Sequence, residues 1–285
     1  MDATQTIQWF PGHMTKTRRQ IESVLPLIDA VAEVVDARIP ESSRNPELAE
    51  LIKGKPRIIL LNKCDMADPK VTANWIEKYR KDGITAIAVD CKSGKGLNVF
   101  KDTVKTALAD KLQKYREKGM AGKPLRVMVV GIPNVGKSSF ITRVSGNNKA
   151  KVENRPGVTR GNQWFSIDKQ LELLDTPGVL WPKFDDQTVG EHLAFTGAVK
   201  DKILDIELLA MRLTELLSRD YPELLTARFG ELDFSAEPYD ILCAIGKKRG
   251  MVIRGGETDT ERASAMLLEE FRNAKLGKIS LERAL

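Results

Sequence analysis

Two patterns of apolar and polar residues follow one another along the chain and meet near residue 186. In the first part, short apolar runs are separated by amphipathic stretches, which is typical of βαβ units and a parallel sheet. The predicted strands are Ala30–Val35, Arg57–Leu61, Ile84–Val89, Leu125–Val130, Gln163–Ile167 and Leu171–Leu174. The predicted helices are Pro46–Lys53, Val71–Lys81, Val99–Glu117 and Ser138–Ser145.

The second part contains only helical patterns. Apolar residues recur at helical spacing over Ile206–Leu217, and Thr258–Glu261 matches a capping box ahead of another amphipathic helix. We therefore predict an α/β domain with a mostly parallel sheet at residues 1–187. A small all-helical domain should follow at residues 188–285.

Composition places the chain among ordinary globular proteins. Its 285 residues are 42% hydrophobic and 29% charged, and no apolar run approaches the roughly 20 residues that span a bilayer. The N-terminus lacks the layout of a signal peptide. Three cysteines without a CxxC pair, and only two histidines, argue against a disulfide framework and a zinc site. We expect a cytoplasmic protein whose partners include neither a membrane nor DNA.

Charge is distributed unevenly along the chain. The sequence pI is about 9.1 and the net charge +6, which favours an anionic partner. Residues 201–285 carry 13 basic and 16 acidic residues, so residues 1–200, with 32 against 23, hold the positive excess. Residues 105–126 alone have seven basic and two acidic residues. That stretch is either a solvated helix face or a footprint for a phosphate backbone.

A glycine-rich segment, Gly131–Ser138, follows a predicted strand and opens a predicted helix. Its GxxxxGKS spacing lets backbone N–H groups surround phosphate oxygens at a helix N-terminus. Lys137 would neutralise the β- and γ-phosphates and assist catalysis, and the Ser138 hydroxyl would bind Mg²⁺. The other candidate nucleotide contacts in this phosphate loop are Asn134, Val135, Gly136 and Ser139.

The segment Asn62-Lys63-Cys64-Asp65 follows another apolar strand and matches NKxD. The Asp65 carboxylate can accept hydrogen bonds from guanine N1–H and N2–H₂, donors that adenine does not present. Lys63 can lie along the base, and Asn62 can tie this loop to the phosphate loop. The expected nucleotides are therefore GTP and GDP.

Asp90 and Cys91 follow the strand after NKxD, at the place of the loop that usually reads SAK in GTPases. A backbone N–H does the work of that loop, and we expect the N–H of Cys91 to meet guanine O6. The Cys91 thiol itself is expected to be a small packed group.

Asp175-Thr176-Pro177-Gly178 follows the last predicted strand and matches switch II. Asp175 would hold Mg²⁺ through water, and the Gly178 N–H would meet the γ-phosphate. Upstream, residues 155–159 are a plausible switch I, with Thr159 completing the Mg²⁺ shell.

Valine at position 179 stands where a glutamine commonly orients the attacking water. Because its side chain cannot form a hydrogen bond, another group must position the water, or hydrolysis is slow. His13, in an aromatic-rich segment, has a suitable ordinary pKa near neutrality. A structural histidine, or one that touches RNA, remains an alternative.

NKxD precedes the phosphate loop by about seventy residues, the reverse of the order in small GTPases. Together with WFPGHM, VVDARIP, SSRNP, LLNKCD, GIPNVGKSS, RPGVTR, LLDTPGVLWPKF and IGKKRG, this order makes the chain resemble one family over almost its whole length. It resembles the circularly permuted bacterial GTPases of the YlqF/RbgA type, the ribosome biogenesis GTPase A family.

The resemblance implies a permuted Ras-like GTPase domain followed by a helical RNA-binding domain. It implies a GTPase that acts in late assembly of the large (50S) ribosomal subunit, with its rRNA and precursor particle as partners and hydrolysis stimulated by the particle. It also implies that His13 positions water and that Asn134 accompanies stimulation by K⁺. The acidic balance of the helical domain argues against a grip on RNA through its net charge alone.

One alternative function stays open at this point, and a second is disfavoured. A GTP-gated rRNA-binding module, in which hydrolysis is incidental, would use the same motifs. A permuted GTPase of the small subunit is disfavoured, since the sequence has no zinc-ligand cluster and no β-rich segment ahead of the GTPase motifs.

Overall fold

The computed structural model describes residues 12–120, 122–146, 163–181, 186–199 and 204–284, without the side chains of 12–16. Residues 155–159, the predicted switch I with Thr159, lie outside this description, as does the side chain of His13.

A six-stranded sheet forms the centre of the α/β part. Its strands are β1 (Ala30–Asp36), β2 (Arg57–Asn62), β3 (Thr85–Ala88), β4 (Leu125–Val130), β5 (Gln163–Asp168) and β6 (Leu171–Asp175). They lie in the order β3-β2-β1-β4-β6-β5, and all neighbours are parallel except β5 and β6. The predicted mostly parallel α/β fold is confirmed. The chain runs outward from β1 to β2 and β3, crosses to β4 on the other side of β1, and continues outward to β5 and β6. The switch point between β1 and β4 is where open α/β sheets bind ligands.

Helices cover both faces of the sheet. They are α1 (Gly12–Val24), α2 (Pro46–Leu51), α3 (Pro69–Lys81), α4 (Phe100–Ala107), α5 (Ala109–Glu117) and α6 (Lys137–Ser145). Residues of α1, α2 and α3 pack on the face that carries Val31 and Val35 of β1. On the other face Phe100 of α4 and Phe140 of α6 pack edge to face, with ring centroids 4.9 Å apart.

Two helical features differ from the sequence-based prediction. The predicted single helix Val99–Glu117 is wrong, because Leu108, with φ −115° and ψ 23°, leaves helical geometry and separates α4 from α5. Leu108 is buried, so packing of its side chain accompanies the break. The helix α1 is not among the predicted helices; Ile21 and Val24 bury against Val31 and Met128 and stabilise it.

The second part of the chain is helical, as the pattern predicts. Its helices are α7 (Gln187–Phe195), α8 (Ile206–Asp220), α9 (Pro222–Phe229), α10 (Pro238–Lys248) and α11 (Thr260–Arg272). The helices α8, α10 and α11 bury one another's apolar faces. Gly246 permits their close approach, since a Cβ there would lie 2.5 Å from Thr258 Cγ2.

The division of the chain into compact units differs from the predicted domains at the C-terminal end. Of the described residues, 12–181 and 280–284 form an α/β unit, and 186–279 form a helical unit. The predicted helical domain, 188–285, therefore ends too late. The reason is a set of hydrogen bonds that the sequence pattern does not signal.

We call residues 280–284 the C-terminal segment, and it is bonded to two parts of the α/β unit. The Glu282 carboxylate accepts hydrogen bonds from the backbone N–H groups of Glu41 (2.6 Å) and Ser42 (2.9 Å). Leu281 N–H donates to Arg38 O at 2.8 Å, and Trp75 Nε1 donates to Glu282 O at 3.3 Å. The segment thereby joins the loop after β1 to α3.

Among the described residues, no helix combines the length and the apolar character that crossing a membrane requires.

We expect Glu282→Gln to lower the free energy of unfolding of the α/β unit by about 1–2 kcal/mol, because hydrogen bonds from two N–H groups to a charged carboxylate are weakened. Chemical denaturation of the full chain, followed by tryptophan fluorescence, measures the effect. Arg283→Gln is the matched control, since Arg283 is exposed and has no bonded partner among the described residues. Equal stability of both variants and the parent would contradict an anchoring role for Glu282.

Candidate functional site

The predicted nucleotide-binding segments meet at one edge of the sheet. Asn62, the first residue of NKxD, ends β2, and Asp175 ends β6. The Asp90 loop follows β3, and the phosphate loop follows β4. These strands are parallel, so their carboxyl ends lie together. The sequence separates the segments widely, and the sheet brings them into one site.

Two glycines give the phosphate loop its shape. Gly131 has φ +146°, and a Cβ there would lie 2.4 Å from Val34 O. Gly136 has φ +102°, and a Cβ there would lie 2.3 Å from Asn62 Nδ2. Both the backbone conformation and the lack of space exclude a side chain. The loop therefore packs directly on its neighbours and presents its backbone toward the open side.

Lys137 is a buried cation at the start of α6. Its Nζ donates to the carbonyls of Gly131 (3.0 Å) and Ile132 (2.9 Å). Burial lowers the pKa of Lys137 to about 8, and the nearby Asp175 carboxylate offsets only part of this. Because little negative charge lies near this buried lysine, an anionic ligand would stabilise its charged form.

Asn62 connects three loops through one carboxamide. Its Nδ2 donates to Val135 O of the phosphate loop at 2.6 Å, and its Oδ1 accepts from Cys91 N–H at 3.0 Å. The side chain is buried. The link to the phosphate loop is the one expected from the sequence; the link to Cys91 was not foreseen.

The loop that begins at Asp90 is ordered by its own side chain. Asp90 Oδ1 accepts from the N–H groups of Lys92 (2.8 Å) and Ser93 (3.2 Å). Burial works against ionisation, but these hydrogen bonds lower the pKa of Asp90. Because Cys91 N–H already donates to Asn62 Oδ1, a guanine O6 would have to share this N–H with Oδ1 or displace Oδ1 from it. The expected role of Cys91 N–H therefore stays a prediction.

Sequence analysis missed an ion cluster that holds Lys63. The Asp36 carboxylate, at the end of β1, lies 2.9 Å from Lys63 Nζ and receives two guanidinium hydrogen bonds from Arg38, at 2.9 and 2.8 Å. Asp36 and Arg38 are both buried. Burial would raise the pKa of Asp36, but Arg38 and Lys63 hold it well below its usual range. The signal was present in the sequence: an Asp-Ala-Arg directly after Ala30–Val35, a strand that is apolar except for Glu33.

Asp65 is exposed, unlike the ion cluster beneath its loop. Burial opposes the charge of Arg38, but Asp36, with a further contribution from Asp65, raises its pKa. Lys63 has φ +61°, so the NKxD backbone turns sharply between Asn62 and Asp65. The loop thus buries Asn62 and leaves the Asp65 carboxylate free to face a base.

Switch II lies against the phosphate loop. A Cβ on Gly178 would lie 2.8 Å from Lys137 Nζ and 2.9 Å from Pro133 N, so only glycine fits there. Thr176 Oγ1 donates to Val129 O at 2.7 Å and fixes the strand end. Burial raises the pKa of Asp175, and Lys137 offsets this in part.

A broad open cleft of about 820 Å³ lies between the Cys91 loop and α6, and it extends to Thr142, Arg143 and Gly146 at the C-terminal end of that helix. Its lining includes Lys92, Ser138 and Ser139. The cleft brings the Cys91 loop and the hydroxyls of Ser138 and Ser139 to one space. Its lining includes neither Asn62–Asp65 nor Gly131–Lys137, so the nucleotide site stays a prediction from the motifs.

The donor set for a divalent cation is partly described. Ser138 offers an exposed hydroxyl and Asp175 a half-buried carboxylate, which are oxygen ligands of the kind that Mg²⁺ takes. A cation there would also stabilise the ionised Asp175 carboxylate and so counter the rise in its pKa that burial causes. The residues present therefore fit Mg²⁺. Within the described parts of the chain, no cluster of three or more His, Cys, Asp or Glu suggests another metal centre.

The segment after Gly178 is held close to α1. Val179 N–H donates to Gly131 O (3.4 Å), and Asn45 Nδ2 donates to Val179 O (3.1 Å). Val179, Arg18 and Ile21 line one small cavity. The helix that carries His13 in its first turn therefore borders switch II.

We expect a pH dependence that belongs to Lys137. Below about pH 8 the charged lysine destabilises the folded, nucleotide-free protein, and this cost is relieved as the pH rises from about 8 toward the 10.5 of an unperturbed lysine. Between about pH 7.5 and about pH 9.5, the free energy of unfolding of the parent should rise by about 1–2 kcal/mol relative to Lys137→Met.

Urea unfolding of both proteins across that range measures the difference. Lys70→Met, which replaces an exposed lysine on α3, is the control and should track the parent. Parallel pH curves for the parent and Lys137→Met would contradict a lowered pKa of Lys137.

Comparisons with known proteins agree with this geometry. A family model described as "50S ribosome-binding GTPase" matches residues 126–223. That range starts at the phosphate-loop strand and omits Asn62–Asp65, as expected if the base-reading motif precedes the phosphate loop.

Similarity to individual proteins extends over nearly the whole chain. Ribosome biogenesis GTPase A of Priestia megaterium is 47% identical, over 97% of this chain and 96% of the relative. The protein of the same name from Thermotoga maritima is 32% identical, over 97% and 94%. A GDP-bound structure of YlqF superposes with a TM-score of 0.68 at 29% identity, covering 93% of this chain and 99% of that one. A GNP-bound YlqF from T. maritima gives 0.63 at 29%, covering 94% and 98%.

The similarity therefore includes both the segment before the phosphate loop and the helical part after switch II, in the same permuted order. With NKxD, phosphate loop and switch II assembled at one sheet edge, this chain belongs to the ribosome biogenesis GTPase A family and is a GTPase of ribosome biogenesis.

Proposed function

We propose that this GTPase hydrolyses GTP to GDP during late assembly of the large ribosomal subunit, and that the particle stimulates hydrolysis. The observation that carries the proposal is Val179. Its side chain cannot orient water, and its backbone is held by Gly131 and Asn45. Intrinsic hydrolysis should then be slow, which leaves an outside partner to set when GTP is consumed.

Guanine recognition in this proposal rests on Asp65. Its exposed carboxylate would accept hydrogen bonds from N1–H and N2–H₂ of the base, while Lys63, fixed by Asp36, lies along the ring. Asn62 keeps the base-reading loop and the phosphate loop at one spacing. Cys91 lines the cleft on the proposed base side, and Asp90 orders its loop.

The phosphate side would use backbone N–H groups of Asn134, Val135, Gly136 and Ser139, with Lys137 on the β- and γ-phosphates. Binding requires Lys137 Nζ to exchange its carbonyl acceptors for phosphate oxygens, which burial favours. Ser138, Asp175 through water, and Thr159 would hold Mg²⁺, which GTPases use to neutralise charge on the phosphates. Gly178 N–H would donate to the γ-phosphate and so make the position of switch II depend on whether GTP is bound.

His13 is the group we propose to position the attacking water. The supporting observation is the cavity shared by α1 and Val179, which places the N-terminal helix beside switch II. His13 precedes Arg18 by five residues on that helix, or about 7.5 Å of helical rise.

Potassium is proposed as a second cation, with Asn134 beside the phosphates. Asn134 is exposed and has φ +60°, a strained conformation that places it at the tip of the phosphate loop. Replacement of K⁺ by Na⁺ in a turnover assay tests this, since equal rates would remove the potassium site from the proposal.

The proposed large-particle partner is rRNA within the subunit precursor, met in the cytoplasm where subunits are completed. In the helical unit, Lys247 and Lys248 at the end of α10 are exposed, although the unit as a whole is acidic. A local basic group of this kind supports contact with phosphates better than net charge does.

A second candidate, a GTP-gated rRNA-binding module with incidental hydrolysis, is favoured by the same valine. Both functions bind the particle in the GTP state. They differ in whether release depends on chemistry at His13.

Asp65→Asn tests the base-reading role. We expect the affinity for GTP to fall about a hundredfold or more and the affinity for xanthosine triphosphate to rise, because an amide can donate to the 2-oxo group of xanthine. Fluorescence titration with both nucleotides measures this. Asp82→Asn, an exposed carboxylate at the end of α3, should change neither affinity. An unchanged GTP preference in Asp65→Asn would refute guanine reading by Asp65.

His13→Ala tests the catalytic role through GTP turnover in potassium buffer, with and without purified 50S subunits. We expect strong stimulation of the parent, about 10²-fold or more lower stimulated turnover in the variant, and unchanged GTP affinity. His13→Gln, which can orient water but cannot take its proton, separates positioning from proton acceptance.

If stimulation survives His13→Ala, catalysis belongs to another group. If the parent is not stimulated at all, the GTP-gated module becomes the better function. If particles bind but fail to leave in His13→Ala, hydrolysis times release.

A further inference from the structure

We infer that the α/β unit carries a separate binding site for the phosphodiester backbone of RNA, at the sheet edge opposite the nucleotide. The site, called here the basic cavity, has a volume of about 220 Å³ and is lined by Lys105, Tyr115, Arg116, Lys123 and Gln170. The inference deepens the proposed function, on which it rests, by adding a second RNA contact outside the helical unit.

Among the described residues, the cations of the basic cavity have no ion-pair partner, in contrast to those around it. Lys111 pairs with Asp29, Lys101 with Asp168 and Arg126 with Glu172. Those lysines and that arginine have structural partners.

By contrast, Lys105, Arg116 and Lys123 are exposed, and none has an ion-pair partner among the described residues. Three like charges that converge on one concavity repel each other, and a bound anion relieves that repulsion. Three of the seven basic residues in 105–126 thus line one cavity.

An aromatic ring is fixed at the same place. Tyr115 OH donates to Asp29 Oδ1 at 3.3 Å, and Lys123 Nζ and Lys111 Nζ lie over the ring, 4.9 and 5.8 Å from its centre. The ring is half-buried and lines the cavity, so a base or sugar would reach its face as Lys123 turns to a phosphate. Cations beside an aromatic face suit RNA, whose phosphates meet the cations while a base or sugar packs on the ring. An acidic protein segment would use the cations but gain little from the ring.

The basic cavity is far from the nucleotide site. Leu125, the first residue of β4, lines the cavity, and the phosphate loop begins after the last residue of the same strand. Six residues of extended strand separate the two by about 20 Å. Substitutions in the cavity should therefore leave GTP binding unchanged.

The test uses the full chain with Lys105→Gln, Arg116→Gln and Lys123→Gln combined. The control combines Lys53→Gln, Lys70→Gln and Lys81→Gln, which removes the same charge from exposed positions on α3 and after α2. Binding to purified 50S subunits and to protein-free rRNA of the large subunit is measured against salt concentration, and affinity for GTP is measured separately.

We expect the cavity variant to bind both RNA-containing probes about tenfold or more weakly, with the slope of log affinity against log salt reduced by about 2–3. The control should retain the affinity and slope of the parent, and all three proteins should bind GTP equally. Tyr115→Leu should weaken binding without changing the slope, since it removes packing and no charge.

Equal binding by the cavity variant and the parent would overturn the inference while leaving the proposed function intact. Weaker binding to 50S subunits with unchanged binding to protein-free rRNA would also overturn it, in favour of an acidic ribosomal protein. Failure of the parent to bind either probe would refute the proposed function and this inference together.

Discussion

The geometry of the nucleotide site depends on one buried carboxamide. Asn62 reaches the phosphate loop, 73 residues later in the chain, and the Cys91 loop, 29 residues later. β2 and β4 are not neighbours in the sheet, because β1 lies between them. That side chain links the base-reading and phosphate-binding loops directly, in addition to the sheet and to the hydrogen bond from Arg143 Nη2 to Lys92 O at 2.7 Å. Asp36, at the end of the intervening β1, adds a second brace by holding Lys63.

Chain order has little bearing on this assembly. The carboxyl ends of β1, β2, β3, β4 and β6 lie at one edge whichever strand is synthesised first. A permuted chain can therefore build the same constellation, provided that each loop still follows its own strand. The permutation changes what is joined covalently: switch II is followed by the helical unit, and the base-reading loops come before the phosphate loop.

Features set by local pattern could be predicted, and features set by tertiary contacts could not. Strand β4 was predicted to the residue, because its last four residues, Val127–Val130, form the apolar run that is typical of a parallel strand buried on both faces. The break at Leu108 has no sequence signal, since a buried leucine is compatible with a continuous helix. The bond from Cys91 N–H to Asn62 is likewise invisible, because a backbone group has no residue-type signature. The C-terminal segment was missed since its contacts are mostly between a short polar stretch and distant backbone.

The C-terminal segment makes the helical unit an insertion within the α/β unit. The α/β unit contains residues from both sides of the helical unit in the sequence. The loop after β1 and helix α3 therefore gain these hydrogen bonds only from residues that follow the helical unit. Removal of residues 280–284 would keep the NKxD, phosphate-loop and switch II motifs and still take those bonds from the α/β unit. The stability of the GTPase unit thereby depends on a piece of chain on the far side of the helical insertion.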